Sequence, residues 1–378
     1  MRIALMGAGS KTEVLKNILS EHGDEYRVEY FIENIRIEKI GTYSKNYAKI
    51  ISCFDAIKLY EDKKIDCFMI PAAYSLRDYQ GMYEQLITKN VHAADIFLVP
   101  AILLKKAVLD EQEFNDLFTT WDKFSQIEDL QVHVNDHCNL NCSSCCHFSN
   151  LIKNDCFMDE EKLKKDLLQI KGKIKYINKV VLLGGEPLLN ARLPEYVRFI
   201  YEHFIYSEKN IVTNGLLLFN MSDDLINAIR ETDTLLSVSL YGVMKSRTEE
   251  MVNYLKNLNI RFEINPQKEF GKRLSLEPRF TKSAQYCGQC CTLRDGKIMM
   301  CPELAYIKYF NEYFNVNLPV EEGVDIYDEC ISGSQLYHIM RQPKELCKHC
   351  TGVLYEDFEP WTYSKNKEYV IEDYLTSF

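Results

Sequence analysis

The chain has 378 residues, of which 46% are hydrophobic and 26% charged, and its formal net charge is −10. This length predicts two or three domains, and the composition is typical of a soluble globular protein rather than a disordered one. The acidic balance disfavours unspecific binding to a nucleic-acid backbone. The N-terminal apolar run is too short for a signal peptide, and the longest one, 96–104, contains Pro100 and cannot span a bilayer. We therefore expect a cytoplasmic protein that binds neither nucleic acid nor membranes.

Residues 1–118 predict a Rossmann-like domain, because short apolar strands such as "RIALM" alternate with helical patterns. Gly7 and Gly9 follow the first strand and could bring the backbone close to a phosphate at a helix start. Thr12 stands where the dinucleotide fingerprint has its third glycine, so a tight structural turn is favoured and nucleotide binding stays open. The polar stretch 111–128 contains neither glycine nor proline and predicts a connecting helix.

Residues 119–275 predict a partial (β/α)6 barrel. Strands are expected at 130–134, 179–187, 210–215, 235–242 and 260–264, and helices at 159–172, 193–206, 222–231 and 246–257. Uninterrupted apolar strands separated by helices indicate a parallel sheet that is covered on both faces. In such folds, functional sites gather at the C-terminal ends of the strands.

The fourteen cysteines are many for a cytoplasmic chain, where dense cysteine more often indicates metal than disulfides. One group, in "CNLNCSSCC", contains Cys138, Cys142, Cys145 and Cys146. A second group lies near the C-terminus, at positions 287, 290, 291, 301, 330, 347 and 350. The isolated cysteines at positions 53, 67 and 156 are interpreted as small buried hydrophobic residues.

The first group offers three thiolates in a Cys-x3-Cys-x2-Cys loop. That is one fewer than a structural zinc site or a fully protein-ligated [4Fe–4S] cluster needs. Cys146 could be a fourth ligand, although adjacent cysteines rarely point the same way. If Cys146 is not a ligand, one iron of a cluster stays open for another molecule. Spacing alone leaves zinc as an alternative.

Together with "LLGGEPLL" on the next predicted strand, this loop resembles the motifs of radical S-adenosylmethionine (SAM) enzymes. The resemblance spans about residues 128–275 and continues less tightly to the C-terminus. It implies that Cys138, Cys142 and Cys145 bind three irons of a [4Fe–4S] cluster, while the amino and carboxylate groups of SAM chelate the fourth. The resemblance assigns SAM binding to Gly184, Gly185, Glu186, Asn214, Ser237 and Ser239.

The assigned roles fit the chemistry of these residues. The two glycines would let the backbone approach the methionine end of SAM, and Glu186 would offer its carboxylate to the amino group. Two positions depart from the superfamily pattern. Ser144 stands where an aromatic residue commonly flanks adenine, with Phe148 the next aromatic along the chain, and Tyr241 stands where the fourth strand commonly has Asp.

The second group begins with "CGQCCTLRDGKIMMCP", which predicts a hairpin that turns at Asp295 and Gly296. With the later "CKHC", it resembles the auxiliary-cluster domain of radical SAM enzymes and implies a Twitch-like domain over 276–378 with one further [4Fe–4S] cluster. The expected ligands are Cys291, Cys301, Cys347 and Cys350, with Cys287 as the alternative to Cys291. A zinc ribbon has much the same spacing and remains an alternative.

The resemblance implies an enzyme that reductively cleaves SAM to a 5′-deoxyadenosyl radical and abstracts hydrogen from a small substrate. The expected substrate is a sugar or nucleotide sugar whose alcohol is oxidised, with flavodoxin or ferredoxin as the external electron donor. An epimerase would instead need a protein hydrogen donor, for which Cys146 and Cys156 are candidates. A peptide-modifying maturase, a non-enzymatic iron–sulfur or zinc protein, and a nucleotide-sugar binding protein remain alternatives.

Overall fold

The structure is a computed structural model of the chain. It describes residues 1–33, 36–45, 47–71, 76–152, 154–280, 287, 290–352, 357–365 and 368–377. Two compact units are present, Met1–Gln126 and Ile127–Phe378. Among the described residues, no helix has both the length and the apolar character needed to cross a membrane.

The first unit is an α/β sheet. Its strands are β1 (Arg2–Met6), β2 (Arg27–Ile32), β3 (Lys49–Ile51), β4 (Cys67–Ile70), β5 (Ile96–Leu98) and β6 (Thr119–Thr120); its helices are α1 (Ser10–Glu21), α2 (Cys53–Glu61), α3 (Leu76–Ile87) and α4 (Glu111–Asp116). The sheet order is β3-β2-β1-β4-β5-β6, in which the first five strands run parallel and β6 is antiparallel to β5. This is the strand order of a Rossmann-like fold, as predicted.

The turn between β1 and α1 is tight. Gly7 has a positive φ of 90° and donates its N–H to the carbonyl of Ile32 at 2.7 Å. Thr12 is 3% exposed, and its Oγ1 would lie 3.6 Å from a Cβ at Gly7. Thr12 therefore packs beside the turn at the position where a dinucleotide fingerprint would have glycine.

The helix expected over 111–128 is wrong. A capping box between Asp110 and Glu113 starts α4, but the helix ends at Asp116. Phe118 then packs edge-on against Phe97 at a ring distance of 5.5 Å, and the threonine pair of β6 joins β5. β-branched threonines suit a strand, and the aromatic contact is tertiary, so local polarity predicted the wrong element.

The second unit contains the cysteine groups. Its strands are β7 (Gln126–Asn135), β8 (Tyr176–Gly184), β9 (Glu208–Thr213), β10 (Leu235–Leu240), β11 (Phe262–Pro266), β12 (Glu269–Gly271), β13 (Cys290–Arg294), β14 (Lys297–Met299), β15 (Val324–Asp325) and β16 (Phe358–Pro360). Its helices are α5 (Glu160–Lys173), α6 (Leu193–His203), α7 (Asp223–Glu231), α8 (Thr248–Asn257), α9 (Pro302–Phe314) and α10 (Gly333–Met340). Every strand and helix predicted between 130 and 264 is present.

Eight strands of this unit form one open sheet in the order β11-β10-β9-β8-β7-β13-β14-β15. The pairings β8–β9, β9–β10, β10–β11 and β7–β13 are parallel. Because β11 and β15 are at opposite ends of this order, the fold is the predicted partial barrel. β12 and β16 make a separate antiparallel pair.

The hairpin predicted around Asp295 and Gly296 is confirmed. Both residues have positive φ, 50° and 74°, as a type I′ turn requires, and β13 pairs antiparallel with β14. The sequence did not predict that β13 also pairs in parallel with β7, with Leu130 opposite Cys291. The C-terminal hairpin therefore continues the sheet of the barrel.

Candidate cluster and cofactor site

The cysteine loop follows the C-terminal end of β7. Cys142 is buried, and Cys138 and Cys145 are half-buried. Burial raises the pKa of Cys138 to about 12, with further contributions from Glu186 and Cys145. Burial also raises the pKa of Cys142, followed by the effects of Cys145 and Cys138. The three thiols are thus neighbours, and the raised pKa values of Cys138 and Cys142 mean that these two need a bound cation to exist as thiolates.

The chemistry of this donor set is that of an iron–sulfur cluster, whose usual protein ligands are cysteine thiolates. In the described part of the chain, no three His, Cys, Asp or Glu side chains converge closely enough to hold one metal ion. A polynuclear cluster is larger than one ion and holds its thiolates farther apart. Three neighbouring thiols, one buried and two half-buried, are therefore compatible with the predicted cluster.

Gly184 and Gly185 pack directly against the backbone that leads into the loop. A Cβ at Gly184 would lie 2.1 Å from the carbonyl oxygen of Asn135, and one at Gly185 would lie 2.0 Å from that of His137. The N–H groups of Gly185 and Glu186 donate to these same two carbonyls, at 3.0 and 3.1 Å. The protein's own packing therefore requires both glycines, and their contact with SAM stays a prediction.

Glu186 is fully buried, with 0% exposure. One carboxylate oxygen, Oε1, accepts from Thr213 Oγ1 at 2.7 Å and from the N–H of Leu188 at 3.0 Å, and Oε2 accepts from the N–H of Asn214 at 2.8 Å. Burial raises its pKa to about 7, although the three hydrogen bonds act in the opposite direction. The residues described here give it no salt bridge.

The other expected SAM residues lie at different depths. Asn214 Nδ2 is 3.6 Å from Cys138 Sγ and donates to Asn139 Oδ1 at 2.8 Å, so Asn214 reaches the cysteine loop. The Ser237 hydroxyl lies 2.9 Å from Asn210 Oδ1 and 2.6 Å from Glu263 Oε1, inside a side-chain network of the sheet. Ser239 is half-buried, two residues nearer the C-terminal end of β10.

The aromatic residues beside the cysteine loop are Tyr241 and Trp361 rather than Phe148. Phe148 is 1% exposed and packs against Phe310 at 5.6 Å. Tyr241 is close enough to the four loop cysteines for them, after burial, to raise its pKa, and its ring lies 5.2 Å from that of Trp361. The sequence reasoning missed Trp361, although it is one of only two tryptophans in the chain.

In the C-terminal group, Cys287, Cys301 and Cys350 are neighbours. Burial raises the pKa of Cys301 well above its usual value, and Glu303, Cys350 and Cys287 raise it further, in that order. Cys350 shows the same pattern, with burial first and Glu303 and Cys287 contributing. Cys347 is buried in the turn Glu345–His349, and its pKa is raised by burial with a smaller contribution from Glu303.

The expected ligand Cys291 lies away from this group. It is 0% exposed, and after burial the groups that affect its pKa are Arg341, Asp129 and Glu128. Because consecutive strand residues point to opposite faces, Cys290 and Cys291 cannot face the same site. The alternative, Cys287, is the cysteine that the structure brings to the group. Cys330 is exposed.

A salt bridge lies between the two cysteine groups. Arg273 Nη1 donates to Glu303 Oε1 at 3.1 Å, and both residues line a small cavity together with Cys145 and Cys146. Glu303 raises the pKa of Cys146 and of Cys350, in each case after burial. Cys146, one of the two candidate hydrogen donors, therefore lies at this junction.

Cys156, the other candidate donor, belongs to a different network. Asp136 is 0% exposed and accepts from Arg294 Nη1 at 2.5 Å, from Tyr309 OH at 2.6 Å and from His133 Nδ1 at 3.0 Å, and Cys156 Sγ lies 3.7 Å away. Burial acts to raise the pKa of Asp136, but His133 and Arg294 outweigh it and hold this pKa below its usual range. The network joins the residues just before Cys138 to the C-terminal hairpin.

Comparison with known proteins gives a match over the barrel. Residues 132–267 match the family described as the Radical SAM superfamily. A probable GTP 3′,8-cyclase of Methanococcus aeolicus is 33% identical over 27% of this chain and 34% of its own length. The GTP 3′,8-cyclase of Helicobacter pylori is 28% identical over 38% of this chain and 48% of its own. The chain therefore spans a third to a half of these relatives.

One solved structure, described as BtrN in complex with AdoMet and 2-DOIA, superposes with a TM-score of 0.42 at 16% identity and covers 60% of this chain and 94% of that one. The family match falls on the strands that present the cysteine loop and the Gly-Gly-Glu motif. The cofactors of that family are a [4Fe–4S] cluster and SAM. Residues 132–267 of this chain therefore form a radical SAM domain.

Proposed function

We propose that this protein is a radical SAM enzyme in which Cys138, Cys142 and Cys145 hold the SAM-cleaving cluster. The observation that supports it best is the position of Glu186, a fully buried carboxylate with a pKa raised to about 7 and close enough to affect Cys138. A carboxylate in this environment needs a cationic or strongly polarised N–H partner. The amino group of SAM, bound beside the loop cysteines, would supply one.

The chain's own residues would position and shield the reacting molecules. Asn214 lies against Cys138, and Tyr241 with Trp361 provides an aromatic surface beside the loop. Ser239, at the C-terminal part of β10, would reach SAM more readily than Ser237, whose hydroxyl already contacts Asn210 and Glu263. When bound, the cluster and SAM supply the hydrogen-abstracting radical.

We further propose a second cluster on Cys287, Cys301, Cys347 and Cys350. This set is supported because Cys287 and Cys350 both raise the pKa of Cys301, and Cys287 also raises that of Cys350. Cys287 takes the place of Cys291 in it. A second cluster would provide an acceptor for one electron when an alcohol carbon that has lost a hydrogen atom also releases its hydroxyl proton. This chemistry favours oxidation of an alcohol over epimerisation.

The substrate class that we propose is a small molecule with an oxidisable alcohol, such as a sugar or nucleotide sugar. Epimerisation is the second candidate, because Cys146 lines the cavity beside Cys145. Cys156 is the weaker hydrogen donor, since its thiol lies against Asp136. The Rossmann-like first unit gives no support to a peptide-modifying maturase, for which a winged-helix leader-binding domain would be expected. The names of the relatives make GTP a substrate that must be tested as well.

The test is anaerobic incubation of the reconstituted protein with SAM, a reductant and deuterated candidate substrates. The panel should contain nucleotide sugars, free sugars, GTP and peptides. We expect deuterium to appear in 5′-deoxyadenosine with one class of alcohol, and about eight irons per chain. A variant with alanine at the three loop cysteines should keep about four irons and lose SAM cleavage, whereas Cys330→Ser, at an exposed cysteine, should change neither. Iron binding without SAM cleavage would contradict the proposal.

A further inference from the structure

The segment 358–364, here called the C-terminal strap, lies along the cysteine loop. It begins as β16, which pairs with β12, and Trp361 then donates its backbone N–H to the carbonyl of Lys268 at 2.8 Å. The N–H of Ser143 donates to the carbonyl of Thr362 at 3.1 Å, and that of Ser364 donates to the carbonyl of Asn141 at 3.0 Å. Backbone hydrogen bonds in both directions therefore bind the strap to the loop on either side of Cys142.

The strap places an indole over this part of the loop. The Trp361 ring lies 5.2 Å from that of Tyr241 and stacks on that of Tyr363 at 5.4 Å. A Cβ at Gly242 would come within 3.2 Å of the indole, so the ring fits closely against the turn after β10. The half-buried indole therefore packs against Tyr241, Tyr363 and the turn after β10.

The indole N–H of Trp361 is buried and, among the described residues, has no partner at hydrogen-bonding distance and angle. A buried N–H without a partner costs free energy, so such a group points to an acceptor that arrives with a ligand. Cys142 is the neighbouring candidate, because it forms an isolated β-bridge with Tyr363, two residues further along the strap than Trp361. A cluster-bound sulfur is more negative than a thiol and accepts a hydrogen bond more strongly.

We propose that the Trp361 N–H donates to the Cys142 sulfur of the bound cluster, and that the strap thereby sets the reduction potential of this cluster. Hydrogen bonds to cluster sulfurs are one of the means by which proteins tune this potential. The donor stabilises the added negative charge of the reduced cluster, so its removal makes reduction harder. Trp361 is a positioning residue in this sense, since it acts through Cys142. The inference rests on the proposed cluster at the loop.

The test is an EPR-monitored redox titration of the reconstituted protein, with SAM added in a parallel sample to identify the loop cluster by its spectral change. We expect Trp361→Phe, which keeps an aromatic ring but removes the donor, to shift the midpoint potential to a more negative value at unchanged iron content. Tyr363→Phe, on the same strap, should leave the potential as in the wild type. An unchanged potential in Trp361→Phe would overturn the proposal.

A second measurement needs no change in the strap. Labelling the indole nitrogens with ¹⁵N marks only Trp121 and Trp361, and pulsed EPR should then detect a ¹⁵N coupling to the reduced cluster. The coupling should persist in Trp121→Phe and vanish in Trp361→Phe. A cluster without this coupling refutes the hydrogen bond alone, and a coupling that appears only with SAM assigns the N–H to SAM instead. Failure of the wild-type loop to bind any cluster would refute the proposed function and this inference together.

Discussion

Replacing Glu186 by glutamine tests the proposed SAM site most directly. The substitution keeps the shape of the side chain but removes the charge that would meet the SAM amino group. A hydrogen bond to a charged group contributes about 1.5–3 kcal/mol, so SAM affinity should fall by about 10- to 150-fold at pH 8. The cluster spectrum should not change, since Glu186 is not a cluster ligand in this proposal.

The raised pKa of Glu186 adds a pH dependence. In the SAM-free protein this carboxyl has a pKa of about 7, so below pH 7 SAM must bind to a largely protonated group. The affinity of the wild type should therefore fall by up to about tenfold per pH unit below pH 7, and that of Glu186→Gln should stay flat.

The sign of the effect on stability follows from the same pKa. Because the folded-state pKa is raised from 4.5 to about 7, protonation of Glu186 stabilises the fold; this contribution is complete below about pH 4.5 and is lost as pH rises from there through about 7. The loss amounts to about 3 kcal/mol for the SAM-free wild type, and SAM should offset part of it.

The assay is anaerobic equilibrium titration of SAM into the reconstituted protein between pH 6 and pH 8. Glu208→Gln is the control, because Glu208 is the first residue of β9 and Thr213 is the last, so the two lie at opposite ends of this strand. It should bind SAM as the wild type does at every pH. Equal SAM affinity in Glu186→Gln and the wild type at pH 8, or a wild-type affinity without pH dependence, would refute the placement of the amino group beside Glu186.

Three further predictions concern the surroundings of the clusters. Cys287→Ala should lower the iron content by about four per chain, whereas Cys291→Ala should keep it; iron and sulfide analysis distinguishes them, and the opposite result would restore Cys291 as the ligand. Asp136→Asn removes the buried partner of Arg294 and leaves this buried charge only the exposed Asp295. It should destabilise the second unit by about 3–5 kcal/mol in denaturant unfolding, and a loss under 1 kcal/mol would contradict this. Gly185→Ala places a Cβ 2.0 Å from a backbone carbonyl and should impair both cluster reconstitution and stability. Absorbance measures the reconstitution and circular dichroism measures the stability. Normal reconstitution would show that the loop moves to accommodate the Cβ.

The βα series could be predicted because its determinants are local. Apolar strands alternate with helices that begin at side-chain caps such as Asp159 and Ser222, both of which accept from a backbone N–H in the first turn. The cysteine loop and the Gly-Gly-Glu motif could be placed at strand ends for the same reason. Their tertiary partners could not: the carbonyls that require Gly184 and Gly185 belong to the neighbouring strand and loop.

The C-terminal ligand set was harder to predict. Cys287, Cys290 and Cys291 are close in sequence, and which of them can be a cluster ligand depends on which face of β13 points to the site. That face is fixed by the pairing of β13 with β7, a contact between distant parts of the chain. Trp361 could not be predicted for a related reason, since Tyr241, against which its ring packs, lies far from it in sequence.

The pairing of β7 with β13 also affects how this protein folds during synthesis and which fragments of it can be expressed. Leu130 leaves the ribosome long before Cys291, so one edge of β7 stays unpaired until most of the chain has been synthesised. An exposed edge with the apolar residues Val132 and Val134 is a site for association with other chains. A fragment that ends at residue 275 would keep every residue of the Radical SAM match, 132–267, yet expose this edge permanently. We therefore expect that fragment to aggregate when it is expressed alone, and co-expression with 276–378 to rescue its solubility.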